Sequence, residues 1–205
     1  MATDIIDSIS DLEALFGTVG EASVRKEVTY LHPIYRRWIE ASPFAVLATF
    51  GPSGLDASPR GDPAPLVKIQ DESTILLPER RGNNRIDSLR NILSDPHVAL
   101  LFFIPGVGET LRVNGKARIS VAPELLASLA MNNIQPKCVV EVSVESVFFQ
   151  CARALQRSKL WASTPAEALE QVPSAGMMLT ALTESAIDGI AYDRELPERQ
   201  RTTLY

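Results

Sequence analysis

Residues 75–91 place a strand end, a basic turn and a helix start in immediate succession: Ile75-Leu76-Leu77, then Pro78-Glu79-Arg80-Arg81-Gly82-Asn83-Asn84-Arg85, then Ile86-Asp87-Ser88-Leu89-Arg90-Asn91. That order brings the unpaired N–H groups of a first helical turn and several guanidinium donors to one point, which is chemistry suited to holding a phosphate. Asn84 is a favourable N-cap type, and Asp87 three residues later echoes a capping box. Ile86, Leu89 and Leu93 fall at i, i+3 and i+7 and predict one apolar face for the helix, with Ser88 and Asn91 on other sides, free for polar contacts. Arg85 falls in the first turn, where the helix dipole disfavours a cation unless an anion joins it. The same residues also read as a solvated basic loop ahead of an ordinary surface helix, with Asp87 answering the dipole.

The rest of the chain narrows the chemistry. Metal binding is not expected, because His32 and His97 each stand beside a proline with no ligand neighbour at useful spacing. There is no Walker A sequence and no G-x-S-x-G elbow, and Gly106 with Gly108 reads as a loop between strands. A net charge of −5 and a pI near 5.1 argue against a nucleic-acid partner. No signal peptide or membrane span is legible, so a cytoplasmic protein is expected. Cys138 and Cys151, both in apolar segments, read as buried free thiols in a reducing compartment.

Periodicity supplies the frame around the basic turn. At 205 residues, 45% of them hydrophobic, the chain supports one domain with helical extensions. Residues 1–43 form an N-terminal helical segment in which Val28, Leu31, Tyr35, Trp38 and Ile39 recur at helical spacing and Pro33 kinks or restarts the helix. A period of two takes over at Phe44, giving strands over 44–50, 55–62, 66–69, 74–77, 98–104, 110–121 and 138–150, with 66–69 and 74–77 paired as a hairpin around Asp71-Glu72. Helices are expected at 84–94, at 123–131, after residue 150, and at 177–185. Strands without regularly alternating helices point to an α+β protein, a mainly antiparallel barrel over 44–161 with peripheral helices, and residues 162–205 as a C-terminal helical extension of the same domain.

Several stretches together resemble the pyridoxamine 5′-phosphate oxidase-like FMN-binding proteins, in particular a bacterial branch of FMN-dependent enzymes. They are Ser58-Pro59-Arg60-Gly61-Asp62, Leu77-Pro78-Glu79-Arg80 with Gly82-Asn83-Asn84-Arg85, Asn91-Ile92-Leu93 with Asp95-Pro96, Leu111-Arg112-Val113-Asn114-Gly115-Lys116-Ala117, and Cys151, Arg153, Arg157, Ser158 and Leu160-Trp161. The resemblance spans roughly residues 35–161. It implies a split β-barrel, FMN as cofactor, and a homodimer with flavin sites at the subunit interface.

Carried over residue by residue, it implies phosphate contacts from Arg60, Lys68 and Arg85, neutral donors at Asn84 and Ser88, and the backbone of Val67 and Pro78 along the ring. Lys68 or Thr110 would donate where negative charge develops on a reduced flavin, and Arg112 lies in the same motif. Arg153 and Arg157 become candidates for an anionic small-molecule substrate, or alternatively a solvated basic face. Catalytic side chains are not identified. Where true pyridoxamine phosphate oxidases carry Trp-Gln-Gly followed by an arginine and a histidine-acid pair, this chain has Phe149-Gln150-Cys151-Ala152-Arg153 and no later histidine. Vitamin B6 oxidation is therefore not expected. The readings left open are a flavin oxidoreductase using a reduced nicotinamide or another small donor, a non-enzymatic flavin carrier or redox sensor, and a deazaflavin-dependent reductase on the same fold; haem is disfavoured by the placement of both histidines.

Overall fold

A computed structural model describes residues 5–205; the first four residues of the expected N-terminal helical segment lie outside the described residues. Seven strands form one antiparallel sheet: β1 Phe44–Gly51, β2 Gly54–Gly61, β3 Lys68–Ile69, β4 Thr74–Glu79, β5 His97–Phe103, β6 Thr110–Ser120 and β7 Cys138–Gln150. Their order is β2-β1-β5-β6-β7-β4-β3. Alternation of apolar residues in β1, β5, β6 and β7 directs Leu47, Leu100, Phe102, Leu111, Val113, Val140, Val142 and Val147 into a fully buried core. The fold is the α+β split barrel that the sequence implies. The hairpin expected around Asp71-Glu72 forms, pairing Lys68 with Leu76 and Ile69 with Ile75.

The sheet curls until β2, at one end of the order, faces β4 near the other, without sharing a ladder with it. Side chains bridge the gap instead. Arg60 Nε lies 3.1 Å from Glu79 Oε2, and Arg80 Nε lies 2.8 Å from Asp62 Oδ2. Neighbouring residues of the two chain segments thus form two partly buried ion pairs across the split.

Nine helices lie among the described residues: α1 Ile9–Phe16, α2 Glu21–Arg25, α3 Pro33–Glu40, α4 Asp87–Ser94, α5 Pro123–Ser128, α6 Arg153–Ser158, α7 Ala166–Glu170, α8 Ala175–Leu182 and α9 Gly189–Thr202. The continuous N-terminal helical pattern breaks. Val28 instead bridges Val147 of β7, Leu31 N–H donates to the Glu72 carbonyl, and His32, the residue preceding proline, is extended (ψ 142°) rather than helical. Pro33 then opens α3 at N1, with the His32 side chain accepting from Ile34 N–H. The C-terminal α9 lies within the helical extension expected over 162–205, beyond the helix expected at 177–185. Its N-cap Asp188 accepts from Ala191 N–H, and Pro197 lies inside it, where a sequence pattern would place a break.

Helix α4 carries two corrections. It starts at Asp87, not at Asn84, and its buried face is Ser88, Asn91 and Ile92, whereas Leu93 is 78% exposed and Ile86 48% exposed. The helix is rotated from the apolar register because it sits on a polar ledge: Asn91 Nδ2 donates to Thr49 Oγ1 at 3.1 Å, and Ser88 faces β2. The absence of a side chain at Gly51 allows this approach, since a Cβ there would collide with the Asn91 side chain and lie 3.1 Å from its Cα. Gly51→Ala is therefore expected to cost about 1–3 kcal/mol through overpacking, read as a lower denaturant midpoint. An unchanged midpoint would mean that α4 does not rest on Gly51.

Candidate functional site

The split between β2 and β4 opens into a cavity of about 590 Å³. One wall is β2, where Asp56, Ser58 and Arg60 alternate onto the same face. The opposite wall is the end of β4, Pro78 and Glu79, continuing into the turn 80–86. Asp87 and Ser88 of α4 close one end, and Lys137 and Cys138 at the start of β7 close another.

A continuous polar network crosses this floor. Ser88 Oγ lies 2.6 Å from Asp56 Oδ2 and 2.8 Å from Ser58 Oγ. Arg60 donates from one terminal nitrogen to Ser58 Oγ at 2.8 Å, from the other to Ser88 Oγ at 3.3 Å, and from Nε to Glu79. With a further bond to the Pro59 carbonyl at 3.0 Å, Arg60 is held in one orientation, its planar fork spent on four partners.

Cations outnumber carboxylates in the lining: Arg60, Arg80, Arg81, Arg85 and Lys137 against Asp56, Glu79 and Asp87. Arg60 and Arg80 are neutralised across the split, and Arg85 pairs with Asp87 at 2.7 Å with its side chain 78% exposed. Among the described residues, Arg81 and Lys137 have no carboxylate partner. An excess of positive charge focused in a concave site, on a chain of net charge −5, is an anion-attracting field.

The turn is locally strained. Asn84 (φ 60°) and Ile86 (φ 54°) both adopt left-handed backbone, which for a β-branched residue costs about 1–3 kcal/mol. This corrects the role expected of Asn84. It does not cap α4: its Oδ1 accepts from Lys137 Nζ at 2.8 Å, while Asn83 Oδ1 takes the Arg85 N–H at 3.0 Å. The cap position falls to Ile86, which has no side-chain acceptor, so the first turn of α4 keeps its N–H donors.

Of the residues singled out in the sequence, the structure gathers Arg60, Pro78, Asn84, Arg85 and Ser88 around this cavity. It does not bring Val67, Lys68, Thr110, Arg112, Arg153 or Arg157 there. Val67 is buried in the core, and Lys68 projects from the edge strand β3 into solvent. Thr110 and Arg112 sit at the opposite end of the β6–β7 ladder, where Thr110 Oγ1 donates to Gln150 Oε1 and the Arg112 guanidinium lies 5.5 Å from the Phe148 ring centre. The cavity lies near the level of Ser120 and Val139, ten residues along β6 from Thr110, roughly 30 Å away. Arg153 and Arg157 are exposed on α6, beyond that far end.

Asp56, Ser58, Glu79, Arg81 and Lys137 line the cavity without having been assigned a role from the sequence. The alternation Asp56-x-Ser58-x-Arg60 in a polar strand was the available signal for two of them. Lys137 offered none, since a long stretch of chain separates it from the basic turn.

No group of three or more metal-ligating side chains occurs among the described residues, and no helix there is long and apolar enough to cross a membrane.

The family model described as pyridoxamine 5′-phosphate oxidase matches residues 31–151, which takes in the whole sheet and both walls of the cavity. The chain belongs to that family. No curated protein matches it. Similar solved structures include HupZ from Group A Streptococcus (22% identity, TM-score 0.45, covering 55% of this chain and 89% of that one). Another is General Stress Protein 26 from Bacillus anthracis (14%, 0.42, 56% and 88%). A third is an FMN-binding protein from Syntrophomonas wolfei (8%, 0.42, 69% and 95%).

The cysteines give this geometry an independent check. Both are free, but only Cys138 is buried; Cys151 is exposed, contrary to expectation, because it leaves the sheet one residue after β7 ends. The thirteen residues of β7 hold them roughly 40 Å apart, too far for a disulfide within the chain. Burial, reinforced by the charge of Glu79 and opposed by Arg60, raises the Cys138 thiol above its ordinary value. Near neutral pH, iodoacetamide should modify Cys151 readily and Cys138 far more slowly; equal rates by mass spectrometry would contradict the burial assigned to the cavity wall.

Proposed function

We propose that the cavity in the split holds FMN and that the protein is a flavoprotein oxidoreductase. The observation that carries this reading is the surplus of cations around the strained turn 80–86, in a chain of this family. The volume lies within the roughly 300–1,000 Å³ usual for cofactor pockets.

In this reading the phosphate lies between Arg85, Arg81 and the first turn of α4, with the Asn84 amide and the Ser88 backbone N–H as neutral donors and Arg60 as the fixed cation beneath. Arg85 exchanges Asp87 for the phosphate at little cost, since so exposed a pair is worth about 0–1 kcal/mol. Leu66 and Pro78 supply apolar wall for the ring. A bound flavin supplies hydride and electron transfer, so the chain itself needs to bind, orient and exclude water rather than carry a catalytic dyad.

Thr110, Arg112, Arg153 and Arg157 lie at the opposite end of the barrel from this cavity, and Lys68 is exposed on the edge strand β3, outside its lining. The family arrangement, a homodimer with sites between subunits, would give those at the opposite end of the barrel a role toward the second subunit's flavin. Exposed Met177, Met178 and Leu182 on α8 are apolar surface that a second subunit would cover. The donor in this proposal is a reduced nicotinamide or another small reductant. The segment Phe149-Gln150-Cys151-Ala152-Arg153 offers no histidine to grip a pyridoxamine phosphate, which argues against vitamin B6 oxidation and is the observation favouring a flavin carrier or sensor as the second reading.

Purified protein should be yellow, or become so on loading with FMN, and bleach when NADH or NADPH is added. Flavin that stays oxidised with both would favour the carrier; protein that cannot be loaded would contradict the proposal. Arg85→Ala should weaken FMN retention by about 1.5–3 kcal/mol, the loss of one charged hydrogen bond. Unchanged retention would move the phosphate away from this corner.

A further inference from the structure

Beside the split lies a second cavity, of about 350 Å³, whose lining contains no aspartate or glutamate. Arg80, Arg81 and Lys137 face it, and Ile134, Pro136 and the Tyr205 ring provide its apolar walls. We propose that it is a binding site for a small organic anion with a flat apolar body: a single-ring aromatic acid, carboxylate or phosphate monoester.

The parts are fixed by independent devices. Arg80 is committed to Asp62 and to the Leu129 carbonyl at 2.8 Å, so it contributes structure more than binding. Arg81 has no hydrogen-bond or carboxylate partner among the described residues, and Lys137 has only the neutral Asn84 amide oxygen. Those two cations can therefore accept a ligand anion without breaking an ion pair. Opposite them, Ile134 is held in a tight turn by reciprocal bonds with Met131 at 3.0 and 2.8 Å, through the left-handed residues Asn132 and Asn133. Tyr205, far along the chain, is pinned as a wall: its hydroxyl donates to Asp62 Oδ1 at 2.8 Å, and the Arg80 guanidinium lies 6.0 Å from its ring centre. One carboxylate, Asp62, thus orders both Arg80 and Tyr205 and leaves neither its charge nor its oxygens facing the cavity. The volume is at the low end for ligand sites, which suits one ring and excludes a dinucleotide.

This site goes beyond the flavin reading and stands without it, with Lys137 as its head-group cation when Arg81 is engaged by the flavin phosphate. The two cavities share Arg80, Arg81, Asn84 and Lys137, so the test relies on a residue that lines only the second. Calorimetric titration of the purified protein with benzoate, phenyl phosphate and neutral benzyl alcohol should show saturable binding of at least one anion, with the alcohol weaker by at least about tenfold. The tighter of the two anions identifies the head group as carboxylate or phosphate. Ile134→Glu, which brings a carboxylate to a 48% exposed position, should weaken anion binding by at least about tenfold, while Ile134→Gln stays within about threefold of the parent. Tyr205→Ala provides a second variant that removes the wall without altering charge, and should also weaken binding. Flavin content, read from absorbance in the same samples, reports separately on the first cavity. The proposal is overturned if neither anion binds, if benzyl alcohol binds as tightly, or if the parent, Ile134→Glu and Tyr205→Ala proteins bind the anions alike.

Discussion

The split in this barrel is held at a fixed width by side chains rather than by a backbone ladder. Arg60 with Glu79 and Asp62 with Arg80 bridge two strands that the sheet order places near opposite ends. Partly buried ion pairs of this kind contribute modestly to stability, because desolvation offsets much of their attraction. Their value here is geometric. A ladder between β2 and β4 would close the sheet and consume the space; two ion pairs keep the strands facing each other with a cavity between them. The polar floor of Asp56, Ser58, Ser88 and Arg60 is built on the same bridge, and it explains why α4 buries Ser88 and Asn91 beside Ile92 and leaves Leu93 exposed.

Charge follows from that frame. With Glu79 and Asp62 each occupied by an arginine across the gap, the turn 80–86 adds further cations that the surrounding carboxylates do not match. Arg85 turns outward to Asp87, Arg81 stands without a carboxylate partner among the described residues, and Lys137 reaches the turn from the start of β7. The left-handed Asn84 and Ile86 carry the backbone around this cluster and leave the first turn of α4 uncapped by a side chain. Strain, uncapped donors and unmatched cations coincide at one corner, which is what an anchoring site for a phosphate requires.

Local pattern alone makes most of the sheet legible. Period-two alternation locates β1, β5 and β6 to within a residue or two and β7 to its ends, and the Asp71-Glu72 turn reveals the β3–β4 hairpin. The basic turn stands out because arginine, glycine and asparagine are concentrated between a strand and a helix. What the sequence does not show are choices made by tertiary contact. Asn84 is a sound N-cap by type, yet Lys137 captures its oxygen. Leu93 belongs to the apolar face by spacing, yet Gly51 and Thr49 select the Asn91 face. Lys68 and Thr110 are attached to the flavin by resemblance, and the ladder register places Thr110 at the far end of the barrel and Lys68 on an edge strand. Tyr205 carries no local signal, because its contact with Asp62 joins residues 143 positions apart.

If cations at the split hold a phosphate, as proposed, they must distinguish FMN from riboflavin, which differs only in lacking that group. In fluorescence titrations of flavin-free protein, two charged hydrogen bonds to the phosphate predict FMN affinity about 100-fold or more above that of riboflavin, with the gap narrowing as salt is added. Equal affinities for the two flavins, or a preference unaffected by salt, would contradict the proposal.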